Sequence, residues 1–219
     1  MNKTFIRLLT LALLTGAATT SAIAGPKEDH QVRQASAIIN RFKMMPEQEI
    51  PYEVLRGAKG VAIVTVTKGG FIWSAKGGSG VVLARTGRGW SGPSFIRTGG
   101  FGFGAQVGGQ VTEYVFILNT PEAVRAFSNN SNIQLGGSLS VAAGPVGRSA
   151  DAGVLPKAAV YSYSRSQGLF AGVSLEGSMI GTDHKANQRF YQRPVASTSI
   201  LSGQVRPPSR SPVVALNGL

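Results

Sequence analysis

The sequence predicts an α+β chain that is mainly antiparallel β: a Gly-rich sandwich or partly closed barrel with an N-terminal amphipathic helix and one short internal helix. Three observations carry this. Val32, Ala35, Ile39, Phe42 and Met45 recur at spacings of three and four, the period of one helix face. From Gly60 onward the pattern changes to β-branched runs and to alternation with period two. Finally, 29 of the 219 residues are glycine, close to twice the usual share of roughly 7%. Spread without a three-residue period, that excess excludes collagen and marks tight turns and bulges between strands.

The elements follow in order. Residues 1–24 read as an export signal: Lys3 and Arg7 form a positive start, Leu8 to Leu14 is a short apolar run, and Ala22-Ile23-Ala24 presents small residues before a cleavage at Gly25. The run is too short to span a bilayer, which takes about 20 apolar residues. The expected location is therefore periplasmic or secreted, peripheral on an envelope membrane at most. Residues 25–45 hold the amphipathic helix, with Arg33, Arg41 and Lys43 off its apolar stripe. Two readings of it stay open: a helix packing its stripe on the core, or one lying on a membrane. Pro46 and Pro51 bracket a break, followed by a helical turn over 54–57.

Residues 46–193 form the main domain. Val61 to Thr67 is a strand that ends on Lys68-Gly69-Gly70, a turn signal, so Phe71 to Ala75 is its expected hairpin partner. Gly77 to Gly80 breaks it, and Val81 to Arg85 resumes. Phe101, Phe103, Ala105 and Val107 alternate with Gly102, Gly104 and Gln106, where a backbone or a ligand comes close. Val111 to Leu118 is a further strand. Thr120-Pro121-Glu122 starts the short helix, with Thr at the cap and Pro at the first helical position. More strands are expected at 133–142, 158–164, 169–175 and near Met179. Residues 194–219, rich in Ser and Pro, read as a disordered tail.

Composition narrows the chemistry. With no Cys there are no disulfides, thiolate metal sites or thiol nucleophiles. Gly100, Gly102 and Ala105 imitate a dinucleotide fingerprint, but the residues after them alternate as a strand where that motif needs a helix. His30 and His184 are far apart, and His184 lies in the polar turn 181–185. With no GxSxG elbow and ten acids in all, neither a hydrolase triad nor a metal site is expected. Catalytic residues, cofactors and metals are therefore predicted absent. The charge is +12, and taking away Lys3 and Arg7 with the leader still leaves +10. That balance favours an anionic partner, and export disfavours nucleic acid.

The cations supply the candidate site. Lys68, Lys76, Arg85, Arg88, Arg97, Arg148, Lys157 and Arg165 fall mostly at strand ends or turns, interleaved with Phe71, Trp73, Trp90 and Phe95. Cations beside amphipathic aromatics suit a membrane interface; the plainer reading is a solvated basic surface over an aromatic core. The lipid-binding residues expected are Arg33, Arg41 and Lys43 on the helix, then Lys68, Trp73, Lys76, Arg88, Trp90, Arg97, Arg148 and Arg165.

An ordered series of motifs resembles the SYLF domain family: Ile50-Pro51, Ala58 to Ile63, Gly78 to Val82, Trp90-Ser91-Gly92-Pro93-Ser94, Gly144 to Arg148, Tyr161 to Gly177, then Asn187 and Phe190-Tyr191. The similarity covers about residues 46–192. It implies a lipid-binding module, of an exported bacterial type here, with no enzymatic activity. Eukaryotic members bind phosphoinositide membranes and yeast-type members also bind actin, so those partners come to this chain by family analogy alone. Given export, the implied partner is anionic phospholipid or lipid A phosphate, met by a monomer through basic residues plus apolar or aromatic insertion. The alternative is a scaffolding protein that binds a filament or an acidic cell-wall polymer. By position, the N-terminal helix with Arg33, Arg41 and Lys43 would be the membrane-binding segment. Gln192 departs from the small residue usual after the final Phe-Tyr.

Overall fold

The computed structural model describes residues 26–44, 50–129, 133–134, 139–146, 158–168 and 179–208; for 70–74, 101–108, 134 and 167–168 it describes the backbone alone. The expected leader, residues 1–24, lies outside the described residues, as do Met45, Arg148, Lys157 and the strand expected at 169–175.

Helix α1 runs Pro26–Met44 with Glu28 and Asp29 in its first turn and Arg41 and Lys43 in its last, the arrangement its dipole favours. Its stripe of Val32, Ala35, Ile38, Ile39 and Phe42 is buried in the core. The core-packing reading of the helix therefore holds: its apolar face is already covered. The Ile50 N–H donates to the Phe42 carbonyl at 3.1 Å, which brings the start of α2 (Tyr52–Gly57) to the end of α1.

The sheet departs from the hairpins expected. Strand β1 is continuous over Gly60–Thr86 and pairs antiparallel with β3, Ser94–Leu118, from Gly60↔Leu118 to Val82↔Ser94. Lys68-Gly69-Gly70 is not a turn: Gly69 faces Gly109 and Gly70 faces Gly108. Glycine opposite glycine lets a two-stranded ribbon bend without ending it. The register slips between Phe71 and Trp73, at the middle of the ribbon.

The ribbon then doubles back on itself. A Cβ on Gly80 would sit 2.2 Å from the Ile63 carbonyl oxygen, and one on Gly78 would sit 2.5 Å from that of Thr65. One on Gly60 would sit 2.9 Å from the Leu83 oxygen, and the Arg85 N–H donates to the Lys59 carbonyl at 2.8 Å. These contacts step regularly, so the two halves of β1 run antiparallel to each other in backbone contact. No side chain larger than hydrogen fits at Gly78 or Gly80.

Short β2, Gly89–Trp90, closes the end of the ribbon through Arg85↔Trp90 and Thr86↔Gly89. Helix α3, Pro121–Ser128, follows β3, and the Thr120 hydroxyl caps it by accepting from the Ala123 N–H, as expected. Strands β4 (Ile133–Gln134), β5 (Val141–Ala143), β6 (Val160–Gly168) and β7 (Met179–Thr182) complete one sheet of order β2-β1-β3-β6-β5. Strand β7 joins β3 to β4, and β5 pairs parallel to β6. The path ends on β2 and on β5, so the sheet is open, mostly antiparallel and part of an α+β fold; it is not a closed barrel.

Both faces of this sheet are covered. Val61, Ile63, Val81, Leu83, Phe95, Val115 and Ile117 meet α1, α2 and α4. The alternate residues Ala62, Val64, Val82, Ala84, Ile96, Tyr114 and Phe116 meet α3 and Leu201. Burial on two faces explains the unbroken apolar runs at 61–64, 81–84 and 114–118.

Two helices correct the reading of the C-terminal part. His184 is not in a turn: it opens α4, His184–Tyr191, whose cap is the Asp183 carboxylate accepting from the Ala186 N–H at 2.9 Å. Residues 194–208 are not a disordered tail. They include α5, Ser197–Leu201, with Ile200, Leu201 and Val205 buried in the core. Residues 209–219 lie outside the described residues.

Candidate functional site

The motif residues prove to be packing devices. The Asn187 side chain, fully buried, accepts from the Phe95 N–H at 2.8 Å and donates to the Ser94 hydroxyl, which also bonds Ser197. The Tyr191 hydroxyl donates to the Pro93 carbonyl at 3.0 Å, over Gly92, where a Cβ would strike it. The loop 90–94 is thereby fastened to α4 and α5. Burial raises the Tyr191 phenol well above its ordinary range. Gly144 lies against the Tyr163 ring, whose hydroxyl donates to the Pro145 carbonyl at 2.9 Å. Burial raises Tyr163 in the same way. The described residues contain no cluster of His, Asp and Glu that could hold a metal ion.

The cations expected to bind lipid fall into three places. Arg41 on α1 bonds Glu113 on β3, which also lies 3.8 Å from Arg165 on β6. Glu113 is 12% exposed, so this cluster fastens α1 to the sheet. Arg189 does the same at the other end of α1, donating at 2.8 Å to Glu28, which is 1% exposed. Arg41 and Arg165 are thus committed to internal contacts. Arg33 is exposed on α1, beside Asp29, whose carboxyl is raised by burial against that cation's pull. Lys43 is half-buried at the end of α1. Lys68 and Lys76 flank the middle of the ribbon, opposite Gln110 and Gly100, and Arg97 lies near the start of β3, opposite Ser79 and Gly181. Only the backbone is described for Trp73, and Arg148 lies outside the described residues.

The third place is the closed end of the ribbon. Arg88 donates to the Gly203 carbonyl at 3.1 Å, and Arg85 lies 4.4 Å over the Trp90 ring. Arg85 also donates to the Leu55 and Ala58 carbonyls, at 3.1 and 3.0 Å, and so occupies the C-terminal end of α2. Its backbone bond to Lys59 sets that lysine beside it. Arg56 on α2 and Arg125 on α3 complete the group, each paired with its own helix neighbour, Glu53 or Glu122. A hydrogen bond from its own backbone N–H, and then Arg125, hold the Glu122 carboxyl below its usual range. The two most exposed large apolar residues described are Met44 at the end of α1, 79% exposed, and Tyr52 at the start of α2, 73% exposed.

A cavity of about 330 Å³ opens among this end of the ribbon, α3 and α5. Lys59, Arg85 and Arg125 are among the residues that line it. At this end of the ribbon the sequence singles out Arg88 and Trp90 as candidates, and Arg85 as a basic residue outside the candidate list; it does not single out Arg56, Lys59 or Arg125. These residues come from α2, β1 and α3, and the doubling of the ribbon is what collects them.

Residues 99–216 match a family described as Ysc84, Las17-binding protein actin regulator. LAS seventeen-binding protein 3 of Saccharomyces cerevisiae is 51% identical over 167 residues, 74% of this chain and 36% of the relative. Protein YSC84 of the same yeast is 50% identical over 176 residues, 78% of this chain and 38% of the relative. The SH3 domain-containing YSC84-like protein 1 of Bos taurus is 41% identical over 189 residues, 83% of this chain and 55% of the relative. This chain therefore spans about a third to a half of the length of these curated relatives. The first of the three is named as a binding protein, and none of the three names describes an enzyme. With more than half of its length matched in this way, the chain belongs to the Ysc84, or SYLF, domain family.

Proposed function

We propose that this protein is a non-catalytic binding module that meets anionic lipid surfaces with the closed end of its ribbon. The observation that carries the reading is the group of cations at one end of the fold: Arg85 over Trp90 and at the end of α2 beside Arg56, Arg88 on the Gly203 carbonyl, and Lys59 and Arg125 at the cavity. Each basic residue near an anionic surface adds about 1 kcal/mol of attraction, within a screening length of about 10 Å at 0.1 M salt. Half-buried Trp90, with exposed Tyr52 on α2, supplies the aromatic contact at headgroup depth. The α1 stripe takes no part, because it is buried. The leader pattern of residues 1–24 supports a setting in the cell envelope, where the surface would be anionic phospholipid or lipid A phosphate, and the family supports a role without catalysis.

Pelleting of the purified protein with vesicles tests this. Binding to phosphatidylglycerol-containing vesicles but not to pure phosphatidylcholine, surviving in part at about 1 M salt, is the expected result. A protein that stays in solution with both vesicle types at 0.1 M salt overturns it.

A second reading rests on the relatives' names. Proteins named for binding Las17 share up to 51% identity with this chain, which favours a protein partner of an actin-regulating kind. Such a partner would be captured in a salt-dependent way without vesicles.

A further inference from the structure

We propose that the cavity between α3, α5 and the closed end of the ribbon is a site for one alkyl chain bearing an anionic headgroup. This inference deepens the membrane reading and rests on it for the source of the ligand, a lipid of the surface the protein meets. The cavity has the two-part chemistry of an amphiphile site. Ala84, Val124 and Leu201 make its inner wall, and Ala84 and Leu201 are nearly closed to solvent. Lys59, Arg85 and Arg125, all exposed residues, also line it, with Glu122 the carboxylate bonded to Arg125. An inorganic anion would leave the apolar wall unused, and an uncharged chain would leave the cations unused.

Size and hydrogen bonding agree with this assignment. At about 30 Å³ for each small group packed as in a liquid, 330 Å³ takes on the order of ten chain carbons. That is near the lower end of the roughly 300–1,000 Å³ of small-molecule sites. The hydroxyls of Ser128 and Ser202, also at the cavity, already donate to the Arg125 and Ser199 carbonyls. Donors for the headgroup therefore come from the cations. Arg125 has N–H groups beyond the one spent on Glu122, since a guanidinium carries five. The Arg85 guanidinium is already engaged by the Leu55 and Ala58 carbonyls, so the headgroup's donors come from Lys59 and Arg125.

The test uses the full chain and soluble probes below their micelle concentration, read by titration calorimetry. Decyl phosphate is the probe, with inorganic phosphate, decanol and decyltrimethylammonium as arms that remove the chain, remove the charge or reverse it. One-to-one binding of decyl phosphate at least tenfold tighter than any of the three is expected. Val124→Trp, which fills the cavity, and Arg125→Glu, an exposed change, should each weaken it at least tenfold. Val124→Trp should still pellet with anionic vesicles, which shows that it folds and separates this site from the surface. Equal binding of inorganic phosphate, equal binding of decanol, or decyl phosphate binding unchanged in both variants overturns the proposal. Loss of vesicle pelleting with decyl phosphate binding intact would instead overturn the membrane reading.

Discussion

Replacing Gly80 by Ala tests the doubled ribbon directly. Its Cβ would lie 2.2 Å from the Ile63 carbonyl oxygen and 2.9 Å from the Val64 Cα, both backbone atoms. Ordinary contact begins near 3.4 Å, so the two halves of β1 must part by about 1 Å where they cross. A gap of that size forfeits a quarter to a half of each dispersion contact along the seam. Overpacking of this kind costs about 1–3 kcal/mol and sometimes more. The lost chain freedom of Ala returns roughly 0.4–1 kcal/mol. With backbone on both sides and no rotamer to move, we place the net cost at about 3 kcal/mol, a large share of a typical stability of roughly 5–15 kcal/mol. Gly77 is the internal control, since nothing lies within 4 Å of its Cβ. Urea unfolding followed by circular dichroism should show the Gly80→Ala midpoint lower by more than about 1 M, taking a slope of about 2 kcal/mol/M. Gly77→Ala should lie within a few tenths of 1 M of the parent. Equal midpoints for the two variants would refute the crossing.

Three further outcomes follow from the packing. Phe42→Ala, at a fully buried position under α1, should cost about 3–5 kcal/mol in the same unfolding assay; a surface helix would lose less than 0.5 kcal/mol. Tyr191 is neutral in the fold with its phenol raised by burial. Its contribution is therefore complete below the ordinary tyrosine value near 10 and is lost as pH rises above it. Stability measured from pH 8 to 11.5 should fall beyond pH 10, and less steeply in Tyr191→Phe. Gln192 ends α4 at φ 61°, in the left-handed region. Gln192→Gly should raise stability by about 0.5–1 kcal/mol, from roughly 1–2 kcal/mol of relieved strain less the added chain freedom; calorimetric melting reads the sign.

Sequence order showed those parts of the fold whose causes are local. The stripe of α1 and the Thr120-Pro121 start of α3 depend on residues within one or two turns, and both were legible. The ribbon was not, because Lys68-Gly69-Gly70 carries the same local chemistry in a turn as in a bent strand. What decides is Gly108 and Gly109 across the pair, some forty residues on. Helix α5 was missed because Ser197-Thr198-Ser199 has weak helix propensity; its reason to be helical is the burial of Ile200 and Leu201. The candidate site divides in the same way. Arg88 and Trp90 were legible as a basic residue beside an aromatic at a turn. Arg56, Lys59 and Arg125 become a site through the return of the ribbon, which sequence spacing does not show. That Arg41 and Arg165 pair with Glu113 was not legible, because Glu113 is distant from both in the chain.

The most direct test of the membrane face is charge reversal at the closed end of the ribbon. Arg56, Lys59 and Arg88 are exposed, so a triple Glu variant leaves the core unchanged. A matched variant reverses Arg33 and Arg97, exposed cations elsewhere on the fold. Both are pelleted with phosphatidylglycerol-containing vesicles at 0.1 M salt. The account predicts that the triple variant stays in the supernatant while the matched variant pellets nearly as the parent does. A triple variant that pellets like the parent would contradict it.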